Sequence, residues 1–233
     1  MKTALITGTS QRLGLYLCEA LLDDGWCVQA LTRRASEALR SLQRDTFRIH
    51  ELGDYSDNSL RQFIDEYART NQSLDLLVNN ASLFRPDPDA NENFVNFYQN
   101  LVFVHMTMPA LLMQGLSKFL NGGNIVSITD IYADNPSPSH ALYCSTKAGL
   151  QNLSLAFAKK LAPHVRVNCI QPGPIKFLPD DDNVFKDKIL KETLVGTEGG
   201  FAPIYKALKF IVDDEYVTGS CVKVDGGRSL LRG

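Results

Sequence analysis

Tyr143 and Lys147 stand four residues apart, and an acid, Asp130, precedes the tyrosine by thirteen positions. On a helix, positions i and i+4 share one face. An ammonium held there stabilises a tyrosinate, so the phenol gives up its proton more easily than its reference pKa of roughly 10 allows. Such a tyrosine is a usable proton donor near neutral pH. Close to the N-terminus, Thr7-Gly8-Thr9-Ser10-Gln11-Arg12-Leu13-Gly14 follows an apolar run. A glycine-bearing turn that opens a helix presents backbone amides to phosphate groups. A proton donor combined with a dinucleotide turn points to hydride transfer.

These residues need a scaffold, and the hydrophobic pattern supplies one. Short apolar runs predict strands at Thr3 to Thr7, Cys27 to Leu31, Thr46 to Leu52, Leu74 to Val78, Asn124 to Thr129, Val165 to Ile170 and Cys221 to Val224. Helical spacing predicts helices at Arg12 to Asp24, Ser59 to Arg69, Phe94 to Phe119 with a bend near Pro109, and Ala141 to Leu161. Alternation at this spacing predicts one doubly wound α/β domain of Rossmann type over residues 1–233, with about seven parallel strands and helices on both faces. An irregular stretch from Pro172 to Asn183, followed by a short helix to Leu194, predicts a substrate lid over about 172–200.

Composition bounds the function. A length of 233 residues with 44% hydrophobic and 21% charged residues fits one soluble globular domain. A net charge of −2 gives no nucleic-acid footprint. No apolar run reaches the roughly 20 residues that cross a bilayer, and the N-terminus reads as a strand rather than a signal peptide. Five scattered cysteines, without a C-x-x-C pair, read as reduced thiols of a cytoplasmic protein. Cys144, beside the tyrosine, is open to chemical modification. The run Asp180-Asp181-Asp182 reads as solvated surface rather than a metal site.

The cofactor end carries more detail. Gly8 and Gly14 sit where a phosphate turn needs them, and Arg12 replaces the usual middle glycine, adding a cation for the pyrophosphate, the substrate or both. Gln11 and Leu13 complete the turn. After the second strand the chain reads Leu31-Thr32-Arg33-Arg34, with no acid to take ribose hydroxyls. A carboxylate there would repel a 2′-phosphate and arginines attract it, so the expected cofactor is NADPH. Asp54, after the third strand, either accepts from an adenine amino group or holds a turn.

With Thr7-Gly8-x3-Arg12-x-Gly14, Asn79-Asn80-Ala81, Tyr143-x3-Lys147, Asn168, Pro172-Gly173, Val217-Thr218-Gly219 and Asp225-Gly226-Gly227, the chain resembles the short-chain dehydrogenase/reductases over nearly its whole length. Arg12 in the glycine turn, Asp130 where a serine is usual, and Ser82-Leu83-Phe84 after Asn79-Asn80-Ala81 make it similar to the pteridine reductase branch, especially its bacterial dihydromonapterin reductases. The resemblance implies NADPH-dependent reduction of a 7,8-dihydropterin, dihydrofolate included as a side substrate, by hydride transfer to C6 and protonation of N5. It implies Asp130, Tyr143 and Lys147 as the proton-transfer set, with Tyr143 and Lys147 also on the cofactor, where the lysine holds the nicotinamide ribose, and Asp130 and Tyr143 also on the substrate. It places Asn80, Ala81, Pro172 and Gly173 on the cofactor, with Asn79 bracing the turn beside the ribose. Arg12, Ser82 and Phe84 face the substrate, the phenylalanine stacking the pterin against the nicotinamide, and Phe177 and Leu178 cap it from the lid. His105 falls where many members hold a relay water, and either holds that water, shuttles protons, or is a satisfied helix histidine. A homotetramer is also implied. A carbonyl reductase of the same fold and a non-catalytic NADPH-binding regulator remain as alternatives.

Overall fold

The computed structural model describes residues 1–70, 73–89, 93–178 and 180–231. Among the described residues the sheet has seven strands: β1 (Thr3–Thr7), β2 (Cys27–Thr32), β3 (Phe47–Glu51), β4 (Leu76–Asn79), β5 (Asn124–Ile128), β6 (Arg166–Pro172) and β7 (Cys221–Val224). All pair in parallel in the order β3-β2-β1-β4-β5-β6-β7. The order reverses between β1 and β4, and a crevice opens there at the carboxyl ends of the strands.

Strand alternation splits the core into two layers. Ala4, Ile6, Val28, Leu76, Val78 and Val126 point to one face, where α1 (Arg12–Asp23) and α8 (Ala202–Asp213) cover them with Leu17, Leu21, Ile204 and Leu208. Leu5, Leu31, Leu77 and Ile125 point to the other, under α3 (Asp57–Arg69), α5 (Met108–Leu116) and α6 (Ala141–Leu161). A central strand buried on both faces must be apolar throughout, which is why these strands read as continuous apolar runs.

Three differences from the sequence reading have physical reasons. No helix was expected between Leu194 and β7, yet α8 lies there. Its Ile204, Leu208 and Ile211 recur at helical spacing and are buried, a pattern masked by the glycines just before it. The irregularity expected in the long central helix near Pro109 takes the form of a π-helical turn. α4 (Phe94–Val102) runs into a π-helical turn, Phe103–Thr107, before α5 begins with Pro109 in its first turn. A proline cannot donate to the carbonyl four residues back, and the wider turn absorbs the missing bond. Finally, the short helices α2 (Glu37–Arg40) and α9 (Arg228–Leu231) are too brief to show a period. Within the expected lid, α7 (Asn183–Lys191) is capped by Asp182, which accepts from Phe185 N–H at 2.6 Å. Asp181 accepts from Leu178 N–H at 2.7 Å, so two of the three adjacent acids serve the local backbone. Pro179 lies outside the described residues.

Candidate active site

The glycine turn is built by close approach. Gly8 has φ +70°, and a Cβ there would stand 2.6 Å from Ala81 Cα. A Cβ on Gly14 would meet the Gly8 carbonyl oxygen at 2.2 Å. Arg12, where a glycine is usual, keeps the left-handed conformation at φ +52°, which costs a side-chain-bearing residue on the order of 1 kcal/mol. Its guanidinium donates to the Lys176 carbonyl at 2.5 Å and lies 6.0 Å from the Phe201 ring. Arg12 therefore joins the turn to Lys176, in the segment expected as a lid. Leu13 is buried in the core beneath the turn and could offer a ligand only its backbone.

The residue that braces the turn is Asn80, not Asn79. Asn80 Nδ2 donates to the Thr7 and Gly8 carbonyls at 2.9 and 3.1 Å, while Thr7 Oγ1 accepts from the Asn80 and Ala81 amides. Asn79, still within the strand, points to Ser127 of β5 at 3.2 Å. Asn168 likewise serves the scaffold: it donates to Val217 O and accepts from Ser220 N–H, holding the Val217-Thr218-Gly219 loop to β6.

A groove of about 440 Å³ runs from the turn across the tip of β2. Gly8, Gln11, Thr32, Arg33, Arg34, Ala81 and Ser82 line it, as do Ser10 and Tyr55, which sequence reasoning missed. Ser10 Oγ donates to Arg34 O at 2.6 Å, and Tyr55 lies under the Arg33 guanidinium at 5.8 Å. Their only signal in the sequence is proximity to residues already singled out. Among the described residues Arg33 and Arg34 form no ion pair. The nearby acid Glu51 is taken up by Arg40 and by Ala35 N–H. Asp54 is exposed and accepts from Ser56 N–H at 3.2 Å, the turn-holding role of its two alternatives. Pro172 ends β6, and Gly173 N–H donates to Val224 O; a Cβ on Gly173 would be 2.7 Å from Asp225 Cα.

Beyond the groove, α6 brings Tyr143 and Lys147 under the end of β5. Tyr143 Oη donates to Asp130 Oδ2 at 2.8 Å. Asp130 is placed by capping a single 3₁₀ turn, Ile131–Ala133, and its Oδ1 accepts from Tyr132 N–H at 2.9 Å. Lys147 Nζ is buried and donates to Ile128 O at 2.8 Å. The expectation that Lys147 lowers the tyrosine pKa is not met. Burial, and then the charge and hydrogen bond of Asp130, push the phenol well above its ordinary value, with Ser82 pulling weakly the other way. A carboxylate acceptor stabilises the protonated phenol, so Tyr143 enters any reaction fully protonated. Burial also raises Asp130, against the Tyr132 N–H, Lys147, Tyr143 and Arg228, which lower it. Burial brings Lys147 down to about 8.

His105 reaches the site as a brace. Its Nε2 accepts from Leu83 N–H at 3.2 Å, which places the ring proton on Nδ1, 2.8 Å from Thr146 Oγ1. Ser82 Oγ lies 2.9 Å from Nε2. Burial, then the Lys147 charge, drive the imidazole down to about 2. It is therefore neutral at working pH, which fits the satisfied helix histidine among its three alternatives rather than the proton shuttle. Thr146 Oγ1 in turn donates to Tyr143 O, so His105 ties Ser82-Leu83 to the tyrosine's helix turn. Phe84 is 58% exposed; it stacks on His140 at 4.5 Å and 8°, and sets its edge against Tyr143 at 4.9 Å. An exposed aromatic beside a buried phenol is a ready platform for a flat ligand. Cys144 is buried, burial raises its thiol, and Ser137 N–H approaches its sulfur; the expected reactivity is not supported. Phe177 packs on Phe185 at 6.2 Å within the lid, and Leu178 is exposed. Among the described residues no cluster of potential metal ligands is present, and no helix is long and apolar enough to cross a membrane.

Comparison with known proteins agrees with this geometry. The family model described as short chain dehydrogenase matches residues 2–187. A Klebsiella pneumoniae protein named dihydromonapterin reductase is 30% identical over 97% of this chain and 96% of its own length. An Enterobacter protein of the same name is 29% identical over the same shares. Among solved structures, a Leptospira borgpetersenii short chain dehydrogenase with bound NAD+ superimposes with TM-score 0.86 at 24% identity, covering 98% of this chain and 92% of that one. A 4-hydroxyisoleucine dehydrogenase complexed with NADH gives 0.90 at 19% identity, covering 99% of each. The chain belongs to the short-chain dehydrogenase family of oxidoreductases.

Proposed function

We propose that this protein reduces a 7,8-dihydropterin, of the dihydromonapterin or dihydrofolate kind, to the tetrahydropterin with NADPH. The observation that carries the reading is the juxtaposition of an exposed Phe84, a buried protonated Tyr143 and a half-buried Asp130 within hydrogen-bond or ring contact of one another. The names of the relatives support it. So does the groove: its turn is packed too closely for a Cβ at Gly8 or Gly14, and among the described residues Arg33 and Arg34 form no ion pair at the tip of β2, where the chain carries no acid.

When bound, NADPH supplies the hydride that adds to C6. The chain's own groups handle the accompanying proton. Phe84 holds the flat bicyclic ring by stacking, which positions N5 over Tyr143. The Tyr143 Oη proton passes to N5, and a protonated Asp130, favoured by burial, restores it through the same 2.8 Å hydrogen bond. Lys147, buried beside Tyr143 with its ammonium on Ile128 O, would hold the nicotinamide ribose. Asp130 also offers an acceptor for the amino and ring N–H groups that a pterin presents and a simple ketone lacks. Residues 172–200 close over the substrate, and a homotetramer forms through the central helices, where Phe94 and Val95 are exposed and Leu153 and Leu155 are only half-buried.

The test is NADPH oxidation measured against dihydropterins, dihydrofolate and simple ketones. Turnover of the dihydropterins is expected. Turnover of ketones alone would replace the reading with that of a carbonyl reductase, and a Tyr143→Phe protein with full turnover would remove the proton-transfer role.

A further inference from the structure

Arg228 opens α9 just past the Asp225-Gly226-Gly227 turn, and the proposed chemistry makes no use of it. Its side chain is only 5% exposed. A guanidinium is not left in such a place without partners, because desolvating a cation is costly. Its Nη2 donates to Glu192 Oε2 at 2.5 Å, and its Nε–H has no partner among the described residues. The guanidinium lies 6.0 Å from the centre of the Tyr132 ring. Tyr132 is the residue whose backbone N–H holds Asp130 Oδ1. Tyr132 thus meets this cation with its ring and, with its backbone N–H, the carboxyl that accepts the Tyr143 hydrogen bond.

The turn fixes Arg228 and the end of the lid together. Gly227 and Ser229 N–H donate to the two Asp225 carboxylate oxygens at 3.0 and 2.8 Å. Gly226 O accepts from Leu194 and Val195 N–H at 2.8 and 3.1 Å, two and three residues past Glu192. The lid's end, the C-terminal turn and the catalytic carboxyl meet at one buried charge.

We propose that Arg228 is a positioning residue for Asp130: its buried cation, set against Tyr132 and paired with Glu192, forms part of the electrostatic setting of that carboxyl, and Glu192 sets how much of the charge Asp130 feels. The inference rests on Asp130 acting in proton transfer as proposed above. Arg228 is among the groups that lower Asp130 against the effect of burial. The other ionisable groups facing the carboxyl are Tyr143, Lys147 and Cys144 from α6 and His140 just before it. Arg228 is the cation that both pairs with Glu192 and acts on Asp130.

The carboxyl can be followed directly in the whole chain by ¹³C-aspartate NMR titration, with the Asp130 signal assigned by its loss in Asp130→Asn. Arg228→Met should move its midpoint up, by less than the roughly one unit that a directly contacting opposite charge produces. Arg228→Lys should restore most of the shift. Glu192→Gln should move it down, because the cation is then less neutralised. The limb of the kcat/KM profile for dihydropterin that tracks Asp130 should move in the same opposed directions. A purely structural Arg228 would lower stability and leave the midpoint where it is; that result, or shifts of the same sign in Arg228→Met and Glu192→Gln, overturns the proposal. If Arg228→Met does not fold, an unmoved midpoint in Glu192→Gln overturns it alone. An Asp130→Asn enzyme that keeps the wild-type profile would instead refute the catalytic role of Asp130, and the NMR shifts would still decide whether Arg228 tunes the carboxyl.

Discussion

Replacing His105 by glutamine tests whether this histidine is a neutral brace or a proton carrier. Burial holds the imidazole at about 2 against an ordinary value of 6.5. Between those two values the unfolded chain binds a proton that the folded chain does not. Stability therefore rises with pH across that window and falls as the solution is acidified. Going from pH 8 to pH 5, this one group removes about 1.5 pH units of unfolded-state protonation, or about 2 kcal/mol. Any folded value below about 4 gives nearly the same figure at pH 5, so the result does not depend on how far down burial drives the ring. In a chain of this size about 2 kcal/mol corresponds to a Tm change of roughly 4–8 °C. Glutamine does not titrate, so the acid-dependent part vanishes in the variant, although the lost bond to Thr146 lowers its stability by a constant amount. Urea unfolding of both proteins at pH 8 and pH 5 measures the difference. Wild-type protein should lose about 2 kcal/mol more than the variant over this interval. Parallel losses would mean that His105 titrates near neutrality in the folded chain, and the buried-brace account would be refuted.

Three further outcomes follow from the site. Gly14→Ala gains about 1 kcal/mol of helix propensity, but its Cβ would press on the backbone oxygen of Gly8 at 2.2 Å, and the overpacking, typically 1–3 kcal/mol, wins; fluorescence titration should show NADPH affinity falling at least tenfold, and an unchanged affinity would mean that the turn does not carry the cofactor. Arg33→Ala combined with Arg34→Ala should weaken NADPH binding by ten- to a hundredfold, as loss of one or two charge-assisted phosphate contacts would, and leave NADH binding nearly alone; equal effects on both cofactors would count against a 2′-phosphate site. Phe84→Ala removes the exposed ring beside Tyr143 and should raise KM for dihydropterin by roughly tenfold, the worth of one aromatic stack, with the Tm little changed because the ring is largely exposed; an unaltered KM would place the substrate elsewhere.

Local order was legible because it is written in local spacing. The strands β1 and β7 and the helix α6 fall where apolar runs and helical periodicity put them. The glycine turn was legible because only glycine tolerates the approach of Ala81 and Asn80. Where the reading failed, the deciding interaction was distant. Asn79 and Asn80 are chemically identical neighbours, and only strand pleating decides that one faces Ser127 and the other the turn.

The sequence by itself determined the α/β alternation, the phosphate turn, and the pairing of Tyr143 with Lys147 on one helix face, since each depends on residues within a few positions of one another. Tertiary structure alone decided the protonation of the site. Whether a phenol, a carboxyl or an imidazole is charged depends on how much water it has lost and which charge stands beside it, and residues as far apart as Ser82, His105, Asp130 and Arg228 share one environment only after the sheet and its helices have closed around them.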